Sequence, residues 1–428
     1  MGKQWLGFLM ALGIIGAQAT VAVAEDRTSL EELLFDKGVI TKDEAALVQG
    51  RKLSKWIDRV TFAGDIRLRH ESFYRNTTDD RHRQRFRLRI GPELKIGDLT
   101  VGIRLASGTG EQVSTNKSFD NLSSQTALYI DRAFLKWHSP ELRWLTLTGG
   151  RMQNPFFTVY SSDAVWDDDF NPEGFAENFA FKLGGTELFL NIAQIVLDED
   201  SSGRPSTDQW LFGQQVGVKA TPIHNVQTTL AAAYYNAVNV QNNNLGQSVC
   251  QSGNSRSQSA CPTSTTQTAN LTTGNVTTTT TQTTLVNDYN VLDVTAMVAT
   301  KLWSLPVSVM GDFLQNTADT KASSSATAAD TKDSGYQAGL ILGKASDPQT
   351  WELAYFYKLV GTDATLADLA DSDFGEGGTD RKGHIVWAAY NPSKALQVKV
   401  KYFKTEREDD LATPNDINRL QADLSVKF

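Results

Sequence analysis

From Val60 to the end of the chain, apolar and polar positions alternate with a period of two. Phe62, Gly64, Ile66 and Leu68 alternate with Ala63, Asp65, Arg67 and Arg69, and Phe86, Leu88 and Ile90 alternate with Arg85, Arg87 and Arg89. Near the end, Leu396, Val398, Val400 and Tyr402 alternate with Gln397, Lys399, Lys401 and Phe403. Leu420, Ala422, Leu424, Val426 and Phe428 then alternate with Gln421, Asp423, Ser425 and Lys427. A period of two gives a strand one apolar and one polar face. Here the polar face is charged and the segments are long, unlike the strands of a soluble sandwich.

Sixteen strands are predicted: 60–71, 83–96, 99–107, 127–138, 143–152, 177–183, 186–197, 210–221, 225–236, 290–302, 305–316, 334–345, 349–360, 383–391, 395–405 and 418–428. Alternation is weakest in 177–183 and 225–236. Connections after odd-numbered strands are long and those after even-numbered strands are short. The short ones consist of turn formers such as Gly97-Asp98, Ser139-Pro140-Glu141, Gly184-Gly185, Ser346-Asp347-Pro348 and Asn391-Pro392-Ser393, which supply positive φ or lock it. Tight turns on one side and long loops on the other mark an up-and-down transmembrane barrel. The expected fold class is therefore all-β: a 16-stranded antiparallel transmembrane β-barrel with a short N-terminal helical segment. Trp137, Trp144, Trp303 and Trp351 lie beside short turns, as an interfacial aromatic girdle requires.

The first residues follow another pattern. Lys3, an apolar run from Trp5 to Ile15, and Ala22-Val23-Ala24 read as a secretory signal peptide over 1–24. Residues 25–59 form an N-terminal periplasmic segment, helical by the spacing of Leu30, Leu33, Leu34, Val39, Ile40, Leu47 and Val48. It reads as a spacer or plug, or as a coiled-coil contact. The barrel occupies 60–428.

Composition changes the picture little. The chain has 428 residues, is 40% hydrophobic and carries a formal charge of −8, which argues against nucleic acid as a partner. Past the signal peptide no run approaches the roughly 20 apolar residues of a membrane helix, but barrel strands need only alternate apolar positions. A long extracellular loop at 237–289 is low in complexity and rich in Thr, Ser, Gln and Asn, so it is expected to build no core. Its Cys250 and Cys261 are the only cysteines and, in an oxidising compartment, are expected to pair. They are too few for a Cys-based metal site. His70, His82, His138, His224 and His384 fall in no nucleophile or zinc motif, so no cofactor, metal or enzymatic activity is expected.

The candidate chemistry lies on the inner wall. Arg67, Arg69, Arg83, Arg85, Arg87, Arg89 and Arg104, with Arg132 and Arg151, fall on neighbouring early strands. They predict a basic stripe attractive to anions. The third long loop, 153–176, carries Asp163, Asp167, Asp168, Asp169 and Glu173. Folded inward, it would face the arginines and make a constriction with a transverse field. Asp167, Asp169 and Asn171 also match the opening of a calcium loop, but Pro172 stands at the turn glycine and Asn178 at the twelfth position, so the motif fails.

These residues carry a resemblance. Leu33-Leu34-Phe35-Asp36-Lys37-Gly38-Val39-Ile40-Thr41, Asp131-Arg132-Ala133-Phe134-Leu135-Lys136-Trp137, Gly150-Arg151-Met152-Gln153-Asn154-Pro155-Phe156 and Val165-Trp166-Asp167-Asp168-Asp169-Phe170-Asn171-Pro172-Glu173-Gly174 make the chain resemble the putative porin family of Gram-negative bacteria, related to the general trimeric porins. The resemblance covers nearly the whole mature chain. It implies a barrel in outer-membrane lipid, a homotrimer and an inward third loop. It also implies that the terminal Phe428 is the signal read by the barrel-assembly machinery. The expected function is passive diffusion of small hydrophilic solutes or ions through a water-filled lumen. The alternative is a structural or surface-interaction barrel whose Thr-rich loop binds a partner.

Overall fold

The computed structural model describes residues 57–159, 163–199, 208–243, 245, 253–255, 264–269, 276–281, 284–320, 332–408 and 416–428, with only the backbone for 264–269 and 276–281. The signal peptide, the predicted N-terminal helices, Cys250 and Cys261 lie outside the described residues.

Sixteen strands form the wall: β1 Arg59–Arg75, β2 Arg81–Ile96, β3 Leu99–Ala106, β4 Tyr129–Trp137, β5 Leu145–Arg151, β6 Glu173–Leu183, β7 Thr186–Asp198, β8 Gln209–Ile223, β9 Val226–Val238, β10 Asn290–Leu302, β11 Leu305–Asn316, β12 Ser334–Gly343, β13 Thr350–Val360, β14 Arg381–Asn391, β15 Leu396–Arg407 and β16 Ile417–Lys427. Each pairs antiparallel with the next, and β16 returns to β1 in the register Leu68↔Leu424. The sheet is thus a closed barrel with no free edge. Closure is what hydrocarbon demands, since every backbone donor there needs a partner within the protein. A two-residue strand, Lys117–Ser118, adds to β2 from the second long loop.

The closing seam uses the chain end. The Phe428 amide donates to the Gly64 carbonyl at 3.1 Å, and Gly64 returns the bond at 2.9 Å. The Phe428 ring lies over Gly64, where a Cβ would stand 2.7 Å from it. Glycine at 64 is therefore the seat of the terminal aromatic.

Parity sorts the side chains as alternation requires. Ile66, Leu68, Leu230, Val298, Val309, Phe313, Tyr355, Val386 and Tyr402 are exposed on the outer face, while Asp65, Arg69, Glu71, Thr295, Asp312 and Gln421 are buried within. Trp144, Trp303 and Trp351 are exposed beside the short turns. Trp144 stacks on Phe181 with ring centroids 5.6 Å apart.

Three expectations are corrected. The first long connection shrinks to 76–80, because β1 continues to Arg75 and β2 begins at Arg81. The third loop ends earlier than 176, because β6 starts at Glu173. Away from the arginine stripe the inner wall is in part apolar. On the β6–β11 side it presents Ala176, Ala193, Ile195, Leu211, Ala233, Ala237, Val291 and Leu314, all buried. Finally, the loop after β9 does contribute to a core. Val240, Leu245 and Leu285 pack with inward loop residues, and Ser264–Ala269 pairs with Val276–Thr281 as an antiparallel hairpin. Three apolar residues in a polar stretch suffice to tie the loop's base to the barrel.

Candidate functional site

The site forms where three long loops meet the inner wall. Below we call the connections β3–β4, β5–β6 and β13–β14 the second, third and seventh loops. The third loop has two unlike sides. One side is apolar: Val165 and Trp166 are buried against the small-residue wall, with Trp166 stacked on Phe156 at 5.8 Å and edge-on to Tyr235 at 5.2 Å. The other side is acidic and faces the arginines. Asp169 accepts from Arg89 Nη1 at 3.2 Å and from the Thr115 amide of the second loop at 3.2 Å, and lies 3.8 Å from Arg87. The loop therefore bridges the lumen between chemically opposite walls. Magnitudes separate their roles. Burying a Trp side chain is worth several times a net hydrogen bond, whereas a buried ion pair roughly cancels its own desolvation. The Trp side supplies docking energy and the Asp side fixes orientation.

Its acids are not equivalent. Burial opposes the charge of Asp169, but Arg87, Arg89 and Arg67 overcome this and hold its carboxyl down to about 2. Asp163 goes the other way: burial, then Asp312 on the wall, push it up to about 8. Burial, then Asp168, Asp169 and Asp371, push Asp167 well above the usual carboxylate range. Asp167 Oδ2 accepts from the Ser372 amide at 2.7 Å and its Oδ1 from the Asp169 amide at 2.7 Å. Asp168 is exposed. Glu173 stands apart from this group: it opens β6, is exposed, and receives Arg151 Nη1 at 2.7 Å. The oxygens of Asp167, Asp169 and Asn171 face amides and guanidinium groups rather than a common point, and among the described residues no group of three or more His, Cys, Asp or Glu could hold a metal ion.

The seventh loop enters the lumen from the opposite side. Ala364, Leu366, Ala367, Leu369, Ala370 and Phe374 are buried, and the Asp167 amide donates to the Leu369 carbonyl at 2.8 Å. Lys358 on β13, 1% exposed, clamps both loops: its Nζ donates to the Asp163 carbonyl at 2.8 Å and pairs with Asp371 at 3.1 Å. Asn254, from the loop after β9, donates to the Thr362 and Thr365 carbonyls at 2.9 and 2.8 Å and accepts from the Ala367 amide.

The arginine stripe is present but compensated. Arg69 binds Asp423 at 2.7 Å and Asp373 at 3.1 Å; Arg87 and Arg89 both bind Asp65 at 2.8 Å; Arg85 lies 3.7 Å and Arg67 3.8 Å from a carboxylate. Arg83 pairs with Glu71 and Arg104 with Asp131. The structure adds three residues that the sequence reading did not single out: Glu71, Asp373 and Arg419. Glu71 is fully buried between Arg83 and Arg419, while Arg419 Nη1 also donates to the Ser372 and Asp373 carbonyls at 3.0 and 2.7 Å. Partial burial opposes the charge of Asp373, but Arg69 and Arg419 hold its carboxyl well below the usual range. The only sequence signal for the pair was parity, since both residues fall on the inward face of their strands.

Titration of Asp163 gives a directional expectation. Its docked value of about 8 exceeds that of a free carboxyl, about 4. The docked loop therefore binds the extra proton, so this contribution is complete below about pH 4 and lost as pH rises through about 8. Third-loop docking is expected to loosen between about pH 4 and about pH 8, read as rising current noise, and D163N is expected to abolish that rise. Identical pH profiles would remove Asp163 from the latch.

Sequence comparison with curated proteins finds no match. Among solved structures, Pseudomonas putida OprB at high pH superposes with a TM-score of 0.51 at 9% identity, covering 86% of this chain and 94% of that one. Salmonella typhi OmpF, in complex with daunomycin, superposes with a TM-score of 0.50 at 11% identity, covering 86% and 97%. At these identities the likeness shows the fold. A family described as Putative porin matches residues 72–428. With a closed sixteen-strand wall, apolar outside and charged within, the chain belongs to the putative porin family and is an outer-membrane channel protein.

Proposed function

We propose that the protein is a passive diffusion channel for small hydrophilic solutes or ions, filtered at mid-height by the third loop and the arginine wall. The observation that carries this reading is the bridging of the lumen by Asp169 on Arg87 and Arg89 within a closed barrel. Arg85, Arg87 and Arg89 set the local field together with Asp65, Glu71 and Asp169. Because the acids nearly balance the arginines, neutralising the three arginines leaves a net negative wall. Planar-bilayer recordings in a salt gradient test this. Wild type is expected to give stepwise ohmic openings, and R85Q/R87Q/R89Q to shift the reversal potential toward cation preference. A folded, heat-modifiable barrel that never conducts would remove the channel reading. An unchanged potential would remove only these arginines from the filter.

Residues 1–24 act in this reading as the export signal, and Phe428 as the mark read by the barrel-assembly machinery. The working unit is a homotrimer. Support comes from strand length: β3 and β5 have 8 and 7 residues and β4 between them has 9, whereas a lipid-facing barrel strand needs about 9–11. Two of the three fall short of that span, and neighbouring protomers would cover this side. Cross-linking in mild detergent is expected to trap three chains; a single-chain species throughout would count against it.

A further inference from the structure

We infer that the turn-side half of the lumen holds a binding subsite for small multivalent oxyanions, below and separate from the arginine filter. The inference rests on the channel reading for its access route, but not for its chemistry. A cavity of about 620 Å³ lies there, lined on its charged side by Arg59, Lys95, Arg132 and Lys136, with Glu93 and Asp98 as its acids. Four cations thus face two carboxylates. What sets this cavity apart is pairing. At mid-height Arg69, Arg83, Arg87, Arg89 and Arg104 each hold a carboxylate. Among the described residues, none of the four cavity cations has a carboxylate within the 4.0 Å of an ion pair. Arg132 donates instead to amide oxygens, Asn171 Oδ1 at 2.7 Å and Gln153 Oε1 at 3.2 Å. Lys136 Nζ rests over the Phe134 ring at 5.3 Å. These are contacts that orient a cation without cancelling it.

The backbone fixes the spacing. Arg59, Lys95, Thr100 and Lys136 occupy one row across four adjacent strands, each in register with the next. Adjacent strands are about 4.8 Å apart, so the backbones at Lys95 and Lys136 are separated by roughly 10 Å, with Thr100 between them in register. Arg132 lies four residues along β4 from Lys136, roughly 13 Å away. Phe134 can lie flat between them because residue 102 opposite is glycine, where a Cβ would come within 2.2 Å of the ring. Cations anchored roughly 10–13 Å apart on the backbone, on side chains long enough to converge toward a hydroxyl and amides, match an anion carrying two or more charges better than a monovalent one. The ligand class is a phosphate, sulfate or small polycarboxylate.

Inorganic phosphate at pH 8 is the probe, and two readouts separate the claims. In equilibrium dialysis of the folded, detergent-solubilised full chain, wild type is expected to bind phosphate. K95Q/K136Q is expected to bind at least tenfold more weakly, and K382Q, whose lysine pairs with Glu406 at 3.6 Å near the opposite rim, as wild type does. In bilayers phosphate is expected to reduce the potassium chloride current from one face of the membrane only, and K95Q/K136Q to lose that block. No binding by wild type, or equal binding by K95Q/K136Q, overturns the subsite. Binding without any conductance leaves the subsite standing and removes the channel reading.

Discussion

Replacing Trp166 with alanine is expected to release the third loop and raise single-channel conductance. The indole is 2% exposed and touches Phe156, Phe170 and Tyr235. Truncating a buried Trp costs about 3–5 kcal/mol, a population shift of about 150-fold to several thousandfold at 25 °C. The loss falls on docking rather than on the wall, because backbone pairing on the Ala233 side does not involve the indole. The barrel is therefore expected to keep its heat-modifiable mobility while the loop becomes accessible to protease. The ion pairs on Asp169 cannot compensate, since their attraction is largely offset by desolvation. An unchanged conductance together with unchanged protease resistance would mean that the loop is held by its charges, and the division of roles argued above would fail.

Removing Arg419 is expected to be the most damaging single change to the wall. R419A leaves Glu71, at 0% exposure, with Arg83, the neutral Gln421 amide and the more distant Arg85. It also strips Asp373 and the Ser372 and Gly375 carbonyls of a donor. Breaking a buried pair on one side costs about 3–5 kcal/mol because a charge is left uncompensated. Thermal loss of the compact, fast-migrating form is the measurement: R419A is expected to melt well below wild type and to show a noisier channel, as the seventh loop loses its anchor. E71Q/R419M, which removes both charges, is expected to recover much of the loss. If R419A melts as wild type does, the cluster is decorative. If the double variant is no better than the single, the cost lies in packing against Phe73, which the guanidinium covers at 4.8 Å.

Most of the wall was legible because lipid and water impose opposite demands on alternate residues. Where that contrast fades, so does the signal. In β9 the segment Leu230-Ala231-Ala232-Ala233-Tyr234-Tyr235 is apolar on both faces, since Ala231, Ala233 and Tyr235 are buried inside and the third loop packs on Ala233 and Tyr235. The start of β6 was misplaced for the same reason: Ala176 turns inward under that core. The meeting of the acidic third loop with Arg87 and Arg89 could be read from charge alone. The cluster of Glu71, Asp373 and Arg419 could not, because its members are 46 to 348 positions apart and only closure brings them together. The tied base of the Thr-rich loop escaped a reading by composition, which averages away single residues such as Val240 and Leu285.

The seam between β1 and β16 has a further consequence for how the ring checks itself. Fifteen of the sixteen pairings join strands that follow one another in the chain, and each can form knowing only its neighbour. The last pairing inherits the sum of all the others, since the stagger around a barrel must close on itself. A one-residue slip anywhere in the ring would arrive at the seam as a change of face. Arg69 would then meet Ala422 or Leu424 instead of Asp423, and Glu71 would lose Gln421, its present partner in register. Charges would be turned toward lipid, where they cost several kcal/mol. The buried pairs Arg69–Asp423 and Glu71–Arg419 therefore act as a checksum on the whole ring: they can be made only when every strand before them has been counted correctly.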